Sequence, residues 1–252
     1  MVYENYRKEV TIMYYGLGMY YDPTYILVII GAALSLLASA KVNSTFNKYS
    51  KVRSRSGMTG REAAERILHA SGIYDVKVEH ISGNLTDHYD PSSKVLRLSD
   101  ATYQSTSVAA IGVAAHECGH AVQHQQKYAP LVLRSTLVPV ANFGAKICWP
   151  MIILGLIIGR FQPLLTLGIL LFGLAVLFQL VTLPVEFNAS SRALKVLEQN
   201  GILGYDEIGQ TRKVLSAAAM TYLAAAASSC FIFLRSLSFL YFYIFFFDGL
   251  YC

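Results

Sequence analysis

The 252-residue sequence predicts a mainly α-helical integral membrane protein with about four transmembrane helices and one small α+β unit outside the bilayer. Three observations carry this. Hydrophobic side chains make up 54% of the chain and charged ones 15%, whereas soluble domains carry about a quarter charged residues. The apolar residues gather in three blocks long enough to cross a bilayer. Between the first two blocks lies a segment of ordinary polarity. Such apolar content excludes a disordered chain.

The first block, Thr24 to Ala40, carries no charge and meets the lower length limit for a spanning helix. Ala38-Ser39-Ala40 looks like a cleavage site, so a signal peptide is the alternative. A signal peptide needs a short basic start, and residues 1–23 instead mix Arg7 and Lys8 with Glu4, Glu9 and Asp22. We therefore read residues 1–41 as an N-terminal segment and a retained first transmembrane helix. Residues 41–61 then hold Lys41, Lys48, Lys51, Arg53, Arg55 and Arg61 without an acid. Beside a span this is a cytoplasmic signal and places the N-terminus outside; the alternative is a solvated basic loop. The net charge of +5 has the same origin. No basic stripe is interleaved with aromatics, so no nucleic-acid partner is expected. Cys118, Cys148, Cys230 and Cys252 form no CxxC pair and indicate neither a structural zinc site nor a disulfide framework.

Residues 42–135 form the cytoplasmic unit. Thr59 and Glu62 fit a capping box that opens a helix, which Gly72 closes. Asp75 to Ile81 alternates like a strand, Gly83 to Pro91 is turn-rich, and Lys94 to Ser99 alternates again. A long helix follows from about Ser107 to Gln126. The second block, Ile147 to Val185, has Arg160 as its single charge. It suits a transmembrane hairpin over residues 136–185 that turns at Gly159 to Pro163. Its first arm is short unless it starts before Lys146. Residues 186–213 read as a cytoplasmic amphipathic helix. Residues 214–252 hold the last span, Val214 to Leu234, and an aromatic tail suited to the interface.

On the long helix stands His116-Glu117-Cys118-Gly119-His120. A spacing of four residues puts both imidazoles on one helix face, where they can share one Zn²⁺. Glu117 stands beside them to take a proton from metal-bound water. With six histidines and nine glutamates, chance predicts roughly 0.005 such motifs. A pair of surface histidines is the alternative, but the small, apolar surroundings argue against it. The pattern extended by a third histidine fails, because positions 123 and 126 are both Gln. His124 lies too far along the helix for the same metal and reads as an interface residue or as a support behind a ligand.

A catalytic zinc wants a third protein ligand and one open position. The acids after the motif are Glu186, Glu198, Asp206, Glu207 and Asp248. Two spans between His120 and Glu186 return the chain to its starting side, which favours Glu186. The alternative is a helix-start carboxylate stabilised by the dipole.

VAAHECGHAVQH, the upstream GNLTDHYDPSSKVLRLS and the downstream LPVEFNASSRAL together resemble the YugP-like membrane zinc metallopeptidases. These are similar in layout to HtpX-like gluzincin membrane proteases. The resemblance covers about residues 24–234 and implies a zincin-like catalytic unit. It implies His116, His120 and Glu186 as ligands of one Zn²⁺ per chain, with Glu117 as the catalytic residue. It also implies a multi-pass protein of the bacterial inner membrane with polypeptide substrates; the basic run after the first span puts the expected site at the cytoplasmic face. Where gluzincins often place an Asp four residues after the ligand Glu, this chain has Ser190. Asn188 or Ser190 is then the candidate to orient a histidine.

The expected function is hydrolysis of peptide bonds in membrane or unfolded proteins. KVLRLS is the candidate edge strand for holding substrate, and Arg192 a candidate oxyanion partner or, equally, a solvent-facing or helix-pairing arginine. Asp87 to Asp90 reads as a turn rather than a cleft lining. Two alternatives stand against the enzyme. A non-enzymatic zinc-binding membrane scaffold or quality-control adaptor would need a fourth protein ligand, and Cys118 should point away. A transporter would usually carry ionisable residues within its spans; Arg160 and Arg235 fall near span edges.

Overall fold

The structure, a computed structural model, describes residues 24–158 and 161–247, with side chains described as far as Tyr241. The N-terminal 23 residues, Gly159 and Arg160 of the expected turn, and the far end of the aromatic tail lie outside the described residues. Among the described residues the architecture is mainly helical, with a three-stranded sheet and four helices long and apolar enough to cross a membrane.

Helix α1 spans Tyr25–Tyr49 and so runs well past the uncharged block. Helix α2 covers Gly60–Ala70. The Thr59 amide donates to Glu62 Oε2 at 2.8 Å, and the Glu62 amide donates back to Thr59 Oγ1 at 3.2 Å. At the other end Gly72 takes a φ of 72°. Its amide reaches the His69 carbonyl and the Ile73 amide reaches that of Leu68, the pairing of a Schellman cap.

Strands β1, Lys77–Ile81, β2, His88–Asp90, and β3, Val95–Ser99, lie in the order β1-β3-β2. This corrects two expectations. The turn-rich stretch contains a short strand, β2. The KVLRLS segment is the central strand, pairing parallel with β1 and antiparallel with β2. Its burial explains the position: Val95, Leu96, Leu98 and Ser99 are all buried, which needs cover on both faces. The open edges belong to β1 and β2.

Helix α3 spans Val108–Gln125 and is capped by Ser107, whose Oγ accepts the Ala110 amide at 3.2 Å. Helix α4 spans Ala129–Ile157, with Pro130 in its first turn. It therefore starts well before Lys146, which resolves the length of the hairpin's first arm. Helix α5 runs unbroken over Gln162–Gln199, so Glu186 stands far inside a helix and no new helix begins there. Helix α6 spans Tyr205–Phe247.

Two packing regimes meet in this molecule. Near the sheet, Ile67, Leu68, Leu96, Leu98, Ile111 and Leu197 are buried in one cluster, and burial of that kind stabilises by about 1.5–3 kcal/mol per side chain. Along the spans, Ile29, Leu36, Leu37, Phe143 and Leu170 are instead exposed, as side chains solvated by lipid are. There small residues bring helices together. Ser35 and Ser228 share a hydrogen bond of 3.0 Å, and Ser228 Oγ donates to the Gly31 carbonyl at 2.7 Å. Further along, Phe46 and Tyr49 of α1 cluster with Val214 of α6, so these two helices run antiparallel.

Candidate metal centre

The site is built where α3, α4, α5 and α6 meet. His116 and His120 stand one turn apart on α3, and their rings lie 4.8 Å apart and nearly perpendicular. Glu186 reaches them from α5. Its Oε2 lies 3.2 Å from His116 Nε2 and 3.5 Å from His120 Nε2. The three ligand atoms all fall within 4.8 Å of one another. For tetrahedral zinc with ligand bonds near 2.0–2.1 Å, neighbouring donors stand about 3.3 Å apart. Two imidazoles and a carboxylate at this separation fit a zinc ion, with one position left for water or substrate.

The outer nitrogens of both rings are also held. His116 Nδ1 lies 3.1 Å from Ser190 Oγ, and His120 Nδ1 lies 3.0 Å from Gln123 Oε1. With Nδ1 carrying the proton and donating to these oxygens, each Nε2 offers its lone pair to the centre. Gln123 is fixed in turn, because its Nε2 donates to the Val185 carbonyl at 2.8 Å and to Asn188 Oδ1 at 2.9 Å. Ser190 therefore orients His116 directly, while Asn188 supports His120 through Gln123. Ser190→Ala or Gln123→Ala is expected to weaken zinc binding about tenfold or more, measured by competition with a chromophoric chelator.

Glu186 is 2% exposed, and a carboxylate so buried requires compensation. Arg134 of α4 donates from Nη1 to Glu186 Oε1 at 3.2 Å, which leaves Oε2 for the histidines. Tyr222 of α6 lies close to Glu186 as well. Sequence reasoning missed both residues. For Arg134 a signal existed: Pro130 marks a helix start, which makes Arg134 an ionisable residue near the beginning of a span. Nothing local points to Tyr222.

Glu117 is 9% exposed, and its charge acts on His120. Burial works against a charged His120, but the Glu186 hydrogen bond and the Glu117 and Glu186 charges outweigh it and raise the pKa above its ordinary value. A metal must displace that proton. Zinc affinity is therefore expected to hold at high pH and to fall once the pH drops through the raised value, by about tenfold per pH unit for each proton displaced. Chelator competition repeated across a pH series reads this directly.

The remaining candidates stand elsewhere. Cys118 is buried, its Sγ lies 3.6 Å from the Ala64 carbonyl of α2, and burial pushes its thiol pKa well up. It faces away from the cluster. His124 Nδ1 lies 2.9 Å from the Tyr89 hydroxyl. Burial, with Asp75 and Asp90 nearby, pushes that phenol up to about 12, so Tyr89 remains a donor and ties β2 to α3. Asp87 accepts the Ser99 amide at 2.8 Å, and Asp90 accepts the Ser92 amide at 2.9 Å; both shape the chain around β2. Arg192 donates to Asn188 Oδ1 at 2.6 Å and to Gln126 Oε1 at 2.5 Å. The arginine at the cluster is Arg134.

The family described as "Putative neutral zinc metallopeptidase" matches residues 24–241. A curated relative, "Putative membrane protease YugP" of Bacillus subtilis (strain 168), is 51% identical over 209 residues, covering 83% of this chain and 92% of the relative. No solved structure matches. On a match that runs over most of its length, including every residue of the cluster, the chain belongs to this zinc metallopeptidase family.

Proposed function

We propose that the protein is a membrane-embedded zinc endopeptidase that hydrolyses peptide bonds of membrane or unfolded proteins at the cytoplasmic face of a bacterial cell membrane. His116, His120 and Glu186 hold one zinc ion, and Glu117 acts as general base and acid. The observation that carries this reading is the convergence of both histidine Nε2 atoms on Glu186 Oε2, at 3.2 and 3.5 Å, with Glu117 next to them on the same helix. When bound, zinc polarises the scissile carbonyl and makes water acidic enough to be activated near neutral pH. Glu117 takes the proton of the attacking water and delivers it to the departing amine. Ser190 and Gln123 keep the imidazoles aimed, and Arg134 neutralises the far oxygen of Glu186.

The orientation rests on the basic run from Lys41 to Arg61, which follows the uncharged part of α1 and favours the cytoplasm. The domain plan divides the chain into the anchor (1–41), the catalytic unit (42–135), a hairpin (136–185), the segment with Glu186 (186–213) and the last span (214–252). An extended substrate would add to the open edge of β2, the strand that Tyr89 fastens to α3.

The test uses the purified full-length chain in detergent, with an unfolded soluble protein as substrate. We expect one zinc per chain, cleavage that stops with a chelator, and recovery on adding zinc. One zinc per chain without cleavage of unfolded or membrane-embedded substrates would overturn the reading in favour of a zinc-binding scaffold.

A further inference from the structure

We propose that a basic groove between α1 and α6 binds the phosphate headgroup of an anionic phospholipid. The groove encloses about 630 Å³, within the ~300–1,000 Å³ of typical small-ligand sites. Lys41 and Lys48 of α1 and Arg212 and Lys213 of α6 line it, and no acid does. Ser44 and Ser216 add hydroxyls that can donate to phosphate oxygens.

Helical spacing explains the convergence. Lys41, Ser44 and Lys48 recur at i, i+3 and i+7 and share one face of α1. Arg212, Ser216 and Met220 recur at every fourth position of α6. The two helices run antiparallel, so Lys41 lies toward Met220 and Lys48 toward Arg212 and Lys213. Among the described residues, none of the four cations has an ion-pair partner. Four like charges around one cavity repel one another, and a bound anion relieves that repulsion.

Depth selects the kind of anion. The uncharged run of α1 ends at Ala40. From Lys41 to Lys48 the helix rises about 10 Å, which crosses a headgroup layer of roughly 5–8 Å beside the hydrocarbon core. One turn deeper on the same two faces, Leu37 and Leu223 are exposed. Together with Met220 they continue the groove as an apolar track for an acyl chain. A free phosphate would use the cations and leave that track unused. Basic pockets between spans at the headgroup level suit anionic lipids.

The test uses full-length protein in zwitterionic detergent, offered phosphatidylglycerol, phosphatidylcholine or inorganic phosphate. Native mass spectrometry counts retained lipid, and thermal unfolding reports stabilisation. We expect wild type to retain phosphatidylglycerol about tenfold over phosphatidylcholine, a preference worth about 1.4 kcal/mol, and to gain stability from it. Lys48→Gln with Lys213→Gln should lose the preference. Lys77→Gln with Lys195→Gln changes the net charge equally at exposed positions outside the groove and should keep it. Equal retention of the two lipids by wild type would overturn the proposal, as would an undiminished preference in the groove variant. Stabilisation by inorganic phosphate that phosphatidylglycerol does not exceed would assign the groove to a soluble anion and overturn it as well.

Discussion

On the proposed mechanism, Glu117→Gln is expected to lower peptide-bond cleavage by about 10²–10⁴-fold while one zinc per chain stays bound. Glutamine matches glutamate in size, so the nearly buried position, 9% exposed, is filled as before. No ligand atom of the cluster is altered, since the group that could hold a metal is His116, His120 and Glu186. What disappears is the one carboxylate on α3 beside the histidines that can accept a proton from water and return it to the leaving amine. Metal content by atomic absorption and cleavage of an unfolded protein, measured on the same sample, separate the two roles. Wild-type cleavage by the variant would remove Glu117 from the mechanism. Loss of zinc together with activity would instead make it a structural support of the metal.

The two helices that carry the cluster were legible in the sequence to different degrees, for physical reasons. The pairing of His116 with His120 follows from local helix geometry, so spacing alone places both rings on one face. Glu186 is distant along the chain and could be reached only through topology, by counting spans that must return it to the same side. That argument survives although no new helix starts there, because α5 continues through the position. Arg134 was hidden by the choice of where the second apolar block begins. The nearly uncharged block begins at Ile147, whereas α4 begins at Ala129. β2 was hidden by its composition: three residues among Asp, Pro and Ser offer no alternation to read. With β2 absent, KVLRLS looked like an edge. Yet its run of Val95, Leu96 and Leu98, interrupted only by Arg97, already resembled a strand covered on both faces. Tyr222 depends on the crossing of α6 over the site, a tertiary fact without a local trace. The Ser190 position illustrates a different limit. The sequence shows that a carboxylate is missing there, but only packing reveals that a hydroxyl at 3.1 Å from His116 Nδ1 takes up its orienting task.

Gly119→Ala is expected to damage the site without touching a ligand. Gly119 precedes His120, and a Cβ there would stand 2.6 Å from the Ala189 carbonyl oxygen of α5. The obstacle is backbone, one turn from Glu186, so no rotamer change removes it. Relief to ordinary contact requires α3 and α5 to separate by about 0.5–1 Å, the kind of overpacking that costs about 1–3 kcal/mol. Since α3 carries both histidines and α5 carries Glu186, the same separation pulls the carboxylate away from the imidazoles. A displacement near 1 Å costs about 10²-fold in rate, and zinc affinity should fall with it. Gly112→Ala is the control on the same helix. Its Cβ would meet Thr211 Cγ2 at 2.7 Å, a side-chain methyl rather than backbone, and Thr211→Ser removes that methyl. The control should therefore lose stability, regain it in the double variant, and bind zinc normally throughout. No side-chain truncation at Ala189 can rescue Gly119→Ala, because the clashing atom belongs to the main chain. Zinc affinity of Gly119→Ala equal to that of wild type would mean that the close approach of α3 and α5 does not set the ligand spacing. Loss of zinc by Gly112→Ala as well would show that any overpacking of α3 opens the site, and that the Gly119 contact has no special part in it.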